Sequence, residues 1–568
     1  MVIGFMLSSH ATDLATGRKE SVCVVGAGLS GLVAMKELLA KGHEVTCYEQ
    51  AERDGGVFTT GVAYSDMRLT VSQHFMCFTS MPPPATEKRE LWTRGRYAGY
   101  LHTFAERFGL LPRIRFDTEV TTVEPRPDGL VQVHFRGADS RVFDAVAICR
   151  GAFRASSPRL PRIPGLETFP GFVAHSAAYK DPEPFRGLRV LCIGMGETSA
   201  DITLQISNVA SECTLCMRTF PEIIKRYRGP DRRSTDVDST RLFHWMTQDQ
   251  RAEFYTFKRS FRNTRTLSEH ERVLYEWNRR SGGRRSLQKN DDVVANVVNG
   301  RIQVRAPAQI SRVDGSTVTF DDHSTVEVDA MMFSTGYEES SIPGGWIANV
   351  EIPDVRKLHK HAFQPELGRR VAFFGLARPR QGGLPVLSEL LARYFAQLCS
   401  GERELPAKEE MRRIIEEDCA EEEAFFANSK KTRTLVHYTR YADDLAELIG
   451  CLPKLEAYLD DPELLTHLVC SSNIGMSYRL QGPDAFPEMA REACVAAPIA
   501  DPYEAIDRFV DKALHGRMAP DAAQRAGEAI RTYLTTHKTD MPTIEDWEAS
   551  AALTSETVSR NIELDCVS

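Results

Sequence analysis

Two glycine-rich turns carry the residues whose types and spacing could do chemistry. In the first, Gly26-Ala-Gly28-Leu-Ser-Gly31 follows an apolar run, Val22 to Val25, and opens a helical pattern carrying Leu32, Met35, Leu38 and Leu39. A second apolar run, Val45 to Tyr48, ends on Glu49, 23 residues after Gly26. Strand, glycine turn, helix, strand and carboxylate is the context in which G-x-G-x-x-G binds a dinucleotide. Gly26 permits the tight turn, Gly28 lets backbone approach a pyrophosphate, and Gly31 lets the helix lie close on the sheet. The helix N-terminus offers unpaired N–H groups and a positive dipole end to the phosphates. Glu49 stands where a carboxylate accepts from a ribose 2′-hydroxyl. The bland alternative is a glycine turn in an α/β sheet with no nucleotide.

The second turn repeats this logic. Arg189 to Ile193 reads as a strand, and Gly194-Met-Gly196-Glu-Thr198-Ser199-Ala-Asp201 as turn and helix start, with Ser199 in place of the third glycine. The following strand, Cys213 to Met217, ends on Arg218, 24 residues after Gly194. A carboxylate favours a free ribose hydroxyl and a guanidinium a 2′-phosphate. Glu49 therefore reads as an FAD site and Arg218 as an NADPH site, and two such sites in one chain imply hydride transfer between cofactors. The cofactor contacts expected from the two motifs are Gly26, Gly28, Gly31, Glu49, Gly194, Gly196, Thr198, Ser199, Asp201 and Arg218.

The elements that must position these turns fit the composition. The chain has 568 residues, 42% hydrophobic and 26% charged, an ordinary globular balance with room for several domains. A net charge of −8 argues against general nucleic-acid binding. No apolar run is long enough to span a bilayer, and MVIGFMLSS lacks a basic region, so it reads as a loose leader and not as a signal peptide. Thirteen cysteines without framework spacing fit a reducing, cytoplasmic setting. Cys213-Thr-Leu-Cys216 lies within a strand, where a redox thiolate is not stabilised. His359 and His361 lack acidic or cysteine neighbours, so no metal is expected.

The expected fold is α/β. An FAD domain (1–185 and 329–495) accepts an inserted NADPH domain (186–328), both Rossmann-like, and a helical extension follows (496–568). Between Arg218 and Lys289 Lys and Arg outnumber Asp and Glu; Arg226, Arg228, Arg232, Arg233, Arg259, Arg262, Arg279, Arg280, Arg284 and Arg285 are among them. They read as a solvated face with counter-charges for NADPH, or as recognition of an anionic substrate.

Between the two turns, Phe169-Pro-Gly171-Phe-Val-Ala-His175-Ser-Ala-Ala-Tyr179 resembles the F-x-G-x-x-x-H-x-x-x-[YW] fingerprint of the flavin-containing monooxygenases. MCFTSMPPP, Ser334-Thr-Gly-Tyr337, the helix around Glu389 and Arg393, and Tyr478 to Pro483 resemble further motifs of that family. The resemblance runs from near Val22 to about Glu492. It implies that NADPH reduces FAD, that O2 forms a C4a-hydroperoxyflavin, and that a soft nucleophile takes the distal oxygen. His175 and Tyr179 would then belong to the linker between lobes. In this sequence Thr70 stands where the family places an asparagine near the flavin, and Phe58 where it usually has tryptophan. The resemblance implies further cofactor contacts at Gly56, Val57, Phe58, Thr70 and Val71, and Thr70 and Arg218 are the candidate catalytic residues.

The function this implies is NADPH-dependent oxygenation of nitrogen or sulfur. The leading expectation is N-hydroxylation of a small amine or a carboxylate-bearing amino acid. The alternatives are a Baeyer–Villiger enzyme, an oxidative decarboxylation of a 2-oxo acid, and an NADPH oxidase releasing H2O2. Expected partners are a small-molecule substrate (amine, amino acid or sulfide) and O2, with no nucleic acid and no membrane; a homodimer is one assembly compatible with this reading.

Overall fold

The computed structural model describes residues 18–537, apart from 61–62, 152–157, 229–232, 261–267, 282–286, 338–344, 353 and 427–432 and the side chains of 228, 233, 255, 258–260 and 287. Two five-stranded parallel sheets organise the chain. The first runs Val371–Phe373, Ala145–Ile148, Ser21–Val25, Glu44–Tyr48, Ile114–Arg115 in spatial order. Its central strand, SVCVV, is buried on both faces, as parallel strands are. Val22 and Val24 face a helical core, while Cys23 and Val25 face a second cluster under the antiparallel strands Val120–Pro125, Val131–Phe135 and Ala138–Phe143.

The second sheet runs Gln303–Arg305, Glu212–Cys216, Arg189–Ile193, Ala330–Phe333, Phe172–His175. It is built on the same plan. Val190 and Cys192 face the cluster that takes in helices Glu197–Ser207, Glu269–Ser281 and Asp292–Val298. Leu191 faces another, under the three-stranded antiparallel sheet of Ile310–Asp314, Thr317–Phe320 and Thr325–Glu327. The sheet draws Phe172–His175 and Ala330–Phe333 from either side of 186–328, so its strands reach beyond those boundaries at both ends.

The C-terminal part is helical and is joined to the first lobe. Helix Leu384–Ser400 is buried along nearly its whole length and touches helix Leu29–Ala40, where the Ser30 and Ser388 hydroxyls are 2.9 Å apart. Helices Tyr503–Leu514 and Pro520–Thr536 bury Ile506, Phe509, Val510, Ile530 and Leu534 in the same core as the first sheet. The 496–537 stretch is thus a layer of that core, while residues 538–568 and the leader at 1–17 lie outside the described residues. Among the described residues no helix is long and apolar enough to cross a membrane.

Candidate active site

The first glycine turn is built for close backbone approach. Gly26 has φ +100°, and a Cβ there would stand 2.6 Å from the Cys149 carbonyl oxygen; on Gly31 it would stand 1.8 Å from the Gly26 oxygen. Gly28 and Gly56 face each other, a Cβ on Gly56 lying 3.0 Å from the Gly28 Cα. The Gly55 N–H donates to the Ala27 carbonyl at 2.9 Å, tying the two turns together. Gly28 caps the helix without a side-chain hydrogen bond, and no acid occupies the first turn. The result is a cradle bare of side chains with open N–H donors, which fits a pyrophosphate.

Glu49 is buried, and both of its oxygens are engaged. Oε2 accepts the Ala27 N–H at 2.7 Å and Oε1 the Ala51 N–H at 2.8 Å. The carboxylate therefore clamps the glycine turn to the strand end, and each oxygen retains lone-pair capacity for a ribose hydroxyl. Phe58 is packed inward, its ring 4.6 Å from Tyr97 and edge-on; Val57 is exposed. Thr70 is exposed and Val71 buried, in the bend after Leu69, whose N–H donates to Trp92.

The second turn keeps the pattern with one substitution explained. Gly194 has φ +103°, with a Cβ 2.6 Å from the Ser334 oxygen, so this turn too requires glycine. Ser199 fits because its hydroxyl donates to the Gly194 carbonyl at 2.6 Å, turning inward and not towards a ligand. Gly196 is the helix cap, Thr198 is exposed in the first turn, and Arg218 is exposed beyond Glu212–Cys216. These donors fit a second dinucleotide. Asp201 is engaged by three protein groups. Its oxygens accept from Arg226 Nη2 at 2.6 Å, Asn290 Nδ2 at 2.5 Å and the Tyr64 hydroxyl at 2.5 Å. Its carboxylate is consumed in joining Tyr64, from the first segment, to the second lobe.

The fingerprint residues are likewise structural. A Cβ on Gly171 would stand 2.2 Å from the Asp329 oxygen and 2.6 Å from the Phe169 ring. His175 accepts the Ala177 N–H at Nδ1, and burial lowers its pKa. The Tyr179 hydroxyl donates to Gln205 at 2.8 Å, and its ring lies 5.9 Å from Tyr64. The other motifs converge on a buried ion cluster: Arg479 donates to Thr79, Glu37 and Glu389 at 2.7, 3.3 and 3.1 Å, and Arg393 to the Tyr478 and Pro483 carbonyls. Cys213 and Cys216 belong to clusters on opposite faces of their sheet and are both free thiols. No group of potential metal ligands occurs among the described residues.

Several buried polar groups escaped the sequence reading because they come from separate segments. The Ser72 N–H donates to Asp236 Oδ2 at 2.5 Å, two residues past Thr70. Asp236 Oδ1, His74 Nδ1, Thr235 Oγ1 and Arg89 Nη2 are buried without partners among the described residues. Arg89 Nη1 donates to the Ser472 hydroxyl at 3.1 Å. Burial, reinforced by Arg89, pushes the His74 pKa down to about 3. Burial raises the Asp236 pKa and is outweighed by Lys289, Arg89 and the Ser72 bonds, which hold it below the usual range. Buried polar atoms are normally satisfied, so a group of open ones marks a ligand site.

A family model described as flavin-binding monooxygenase-like matches residues 19–524. The chain belongs to this family. The 4-hydroxybenzoate brominase (decarboxylating) of Pseudoalteromonas luteoviolacea is 35% identical over 502 residues, covering 86% of this chain and 95% of the relative. That of Marinomonas mediterranea is 34% identical over 505 residues, covering 86% and 95%. The S-allyl-L-cysteine S-oxygenase of Allium sativum shares the fold, with a TM-score of 0.56, 22% identity, and coverage of 84% and 98%. The protein is thus an NADPH-dependent flavin monooxygenase with FAD and NADPH as its cofactors.

Proposed function

We propose that this enzyme oxidises a halide and uses it to replace the carboxylate of a 4-hydroxybenzoate-type acid, giving a halogenated phenol and CO2. The observation that carries this reading is 35% identity to a decarboxylating brominase over nearly the full length of both chains. The open, buried Arg89 supports it, since Nη2 is free to take a carboxylate by a charge-assisted hydrogen bond. Asp236 Oδ1 is an open acceptor for a phenol hydroxyl, and neutral His74 adds no competing charge.

Reduced FAD supplies, when bound, the two electrons that bring O2 to an oxidant able to raise bromide to the hypobromous level. The oxidised bromine adds to the ring carbon bearing the carboxylate, para to the phenol oxygen. The C–Br bond forms, the C–C bond breaks, its electron pair returns to the ring, and CO2 leaves. One NADPH and one O2 are consumed, with water as the reduced product. In this scheme Arg89 orients the acid, Asp236 orients the hydroxyl, and Arg218 holds the 2′-phosphate of NADPH.

Of the arginines that pointed to an acidic amino acid and N-hydroxylation, three are paired within the protein. Arg226 is paired with Asp201, and Arg279 and Arg280 with Glu276. Arg232, Arg262, Arg284 and Arg285, and the side chains of Arg228, Arg233 and Arg259, lie outside the described residues. The test is product analysis by mass spectrometry after incubation of holoenzyme, NADPH and O2 with 4-hydroxybenzoate and bromide, or with amines and acidic amino acids. A brominated phenol is expected; oxygenated amines without it would overturn the reading.

A further inference from the structure

A second open donor lies near the first group. His244, near the end of the short helix Arg241–Trp245, and His437, which caps helix Tyr438–Ile449, meet with ring centroids 4.7 Å apart. Both nitrogens of His244 are buried without partners among the described residues. Arg251 Nη1 lies 3.4 Å from His437 Nε2. A guanidinium only donates, so Nε2 is the acceptor and the neutral ring carries its proton on Nδ1. That N–H faces the backbone of His437 itself, whereas neutral His244 offers an open N–H donor.

The surroundings are cationic. Arg251 and Arg380 act on both rings, and Arg517 acts on His437; among the described residues the carboxylate of Glu222 interacts with Arg380. Arg251 lies 4.8 Å over the Phe425 ring, which stands 5.2 Å from His437. An open, buried N–H donor of His244 beside two guanidinium groups leaves an acceptor of negative charge as the missing partner.

We infer that His244 and His437, with Arg251 and Arg380, form a binding site for a small monovalent anion, and that this anion is the halide substrate. Naming the halide rests on the proposed halogenation; the binding itself rests on the donors. The place suits delivery. The backbone N–H of His244 donates to the Thr240 carbonyl, and Thr240 forms a bridge with Ser472, whose hydroxyl accepts from Arg89. On the other side, His74 and His437 are each followed by an aromatic residue, and those rings, Phe75 and Tyr438, are 5.7 Å apart. The two sites are thus linked through Thr240 and Ser472 on one side and Phe75 and Tyr438 on the other.

The test is the quadrupolar line broadening of bromide by holoenzyme without NADPH, alongside steady-state bromide KM. His244→Leu removes no hydrogen bond, and His437→Gln keeps a donor on a smaller side chain; FAD content checks that both fold. Broadening is expected with wild type and its loss with His244→Leu. The bromide KM should rise about 10–100-fold, the worth of one or two charge-assisted bonds. Broadening that persists with saturating 4-hydroxybenzoate identifies a halide site, whereas competitive displacement identifies the pocket of the acid's carboxylate and overturns the halide assignment. Equal broadening by wild type and both variants overturns the anion site, even if a brominated phenol is made. Bromide binding lost in the variants but no brominated product would overturn the proposed function and leave the site standing.

Discussion

Glu49 is at once a candidate cofactor ligand and a clamp, and the substitution Glu49→Gln separates the two. Its two oxygens accept backbone N–H groups from Ala27, inside the glycine turn, and Ala51, beyond the strand. Glutamine can supply one acceptor; its NH2 must then face the other backbone donor. One bond to a charged group is lost and one buried N–H is left unpaired, a cost of about 2–3 kcal/mol. At about 2–4 °C per kcal/mol for a domain of some 150–250 residues, the first lobe should melt about 4–12 °C earlier even without FAD. The assay is thermal unfolding of FAD-stripped protein followed by FAD titration of both forms. If apoprotein stability is unchanged while FAD affinity falls, Glu49 serves only the ribose and the clamp argument fails.

Arg218→Ala should raise the KM for NADPH about 10–100-fold, the worth of a charge-assisted bond to phosphate, and leave NADH unaffected; an unchanged preference places the 2′-phosphate elsewhere. Arg89→Met should raise the KM for 4-hydroxybenzoate by about 10–100-fold without moving that for NADPH, and an unchanged KM would remove Arg89 from substrate binding. Burial pushes the pKa of His74 to about 3 and of His359 and His437 to about 4. Below the ordinary value near 6.5 the unfolded chain takes up protons that the native state refuses, so stability should be full above about pH 6.5 and fall towards pH 4. His359→Leu, which removes no hydrogen bond to the described residues because both ring nitrogens are unpartnered, should flatten that slope in denaturant titrations. A slope equal to wild type would show that His359 is not held neutral.

Both glycine turns were legible because their requirement is local. A positive φ at Gly26 and Gly194 and the contact at Gly31 follow from residues a few positions apart in a strand–turn–helix pattern. Ser199 was recognised as a tolerated replacement, although its inward hydroxyl was not. The partners of Asp201 were not legible, because its position in the motif says nothing of Arg226, Tyr64 and Asn290, which arrive from other segments. The same holds for the ion cluster: Thr79, Glu389 and Arg479 lie in three motifs that spacing cannot bring together. Edge strand Ala138–Phe143 is largely exposed, so its sequence, ADSRVF, carries no apolar alternation. Arg89, Asp236 and His244 carry no motif. Their signal is the absence of partners after folding, and that is a property of three dimensions.

The most direct measurement is the fate of the carboxylate of 4-hydroxybenzoate labelled with carbon-13 at that position, incubated with holoenzyme, NADPH, O2 and bromide. The account predicts labelled CO2 released one-for-one with NADPH oxidised, dependent on bromide, together with a brominated phenol. Retention of the label in the acid, with hydrogen peroxide formed one-for-one with NADPH, would contradict it.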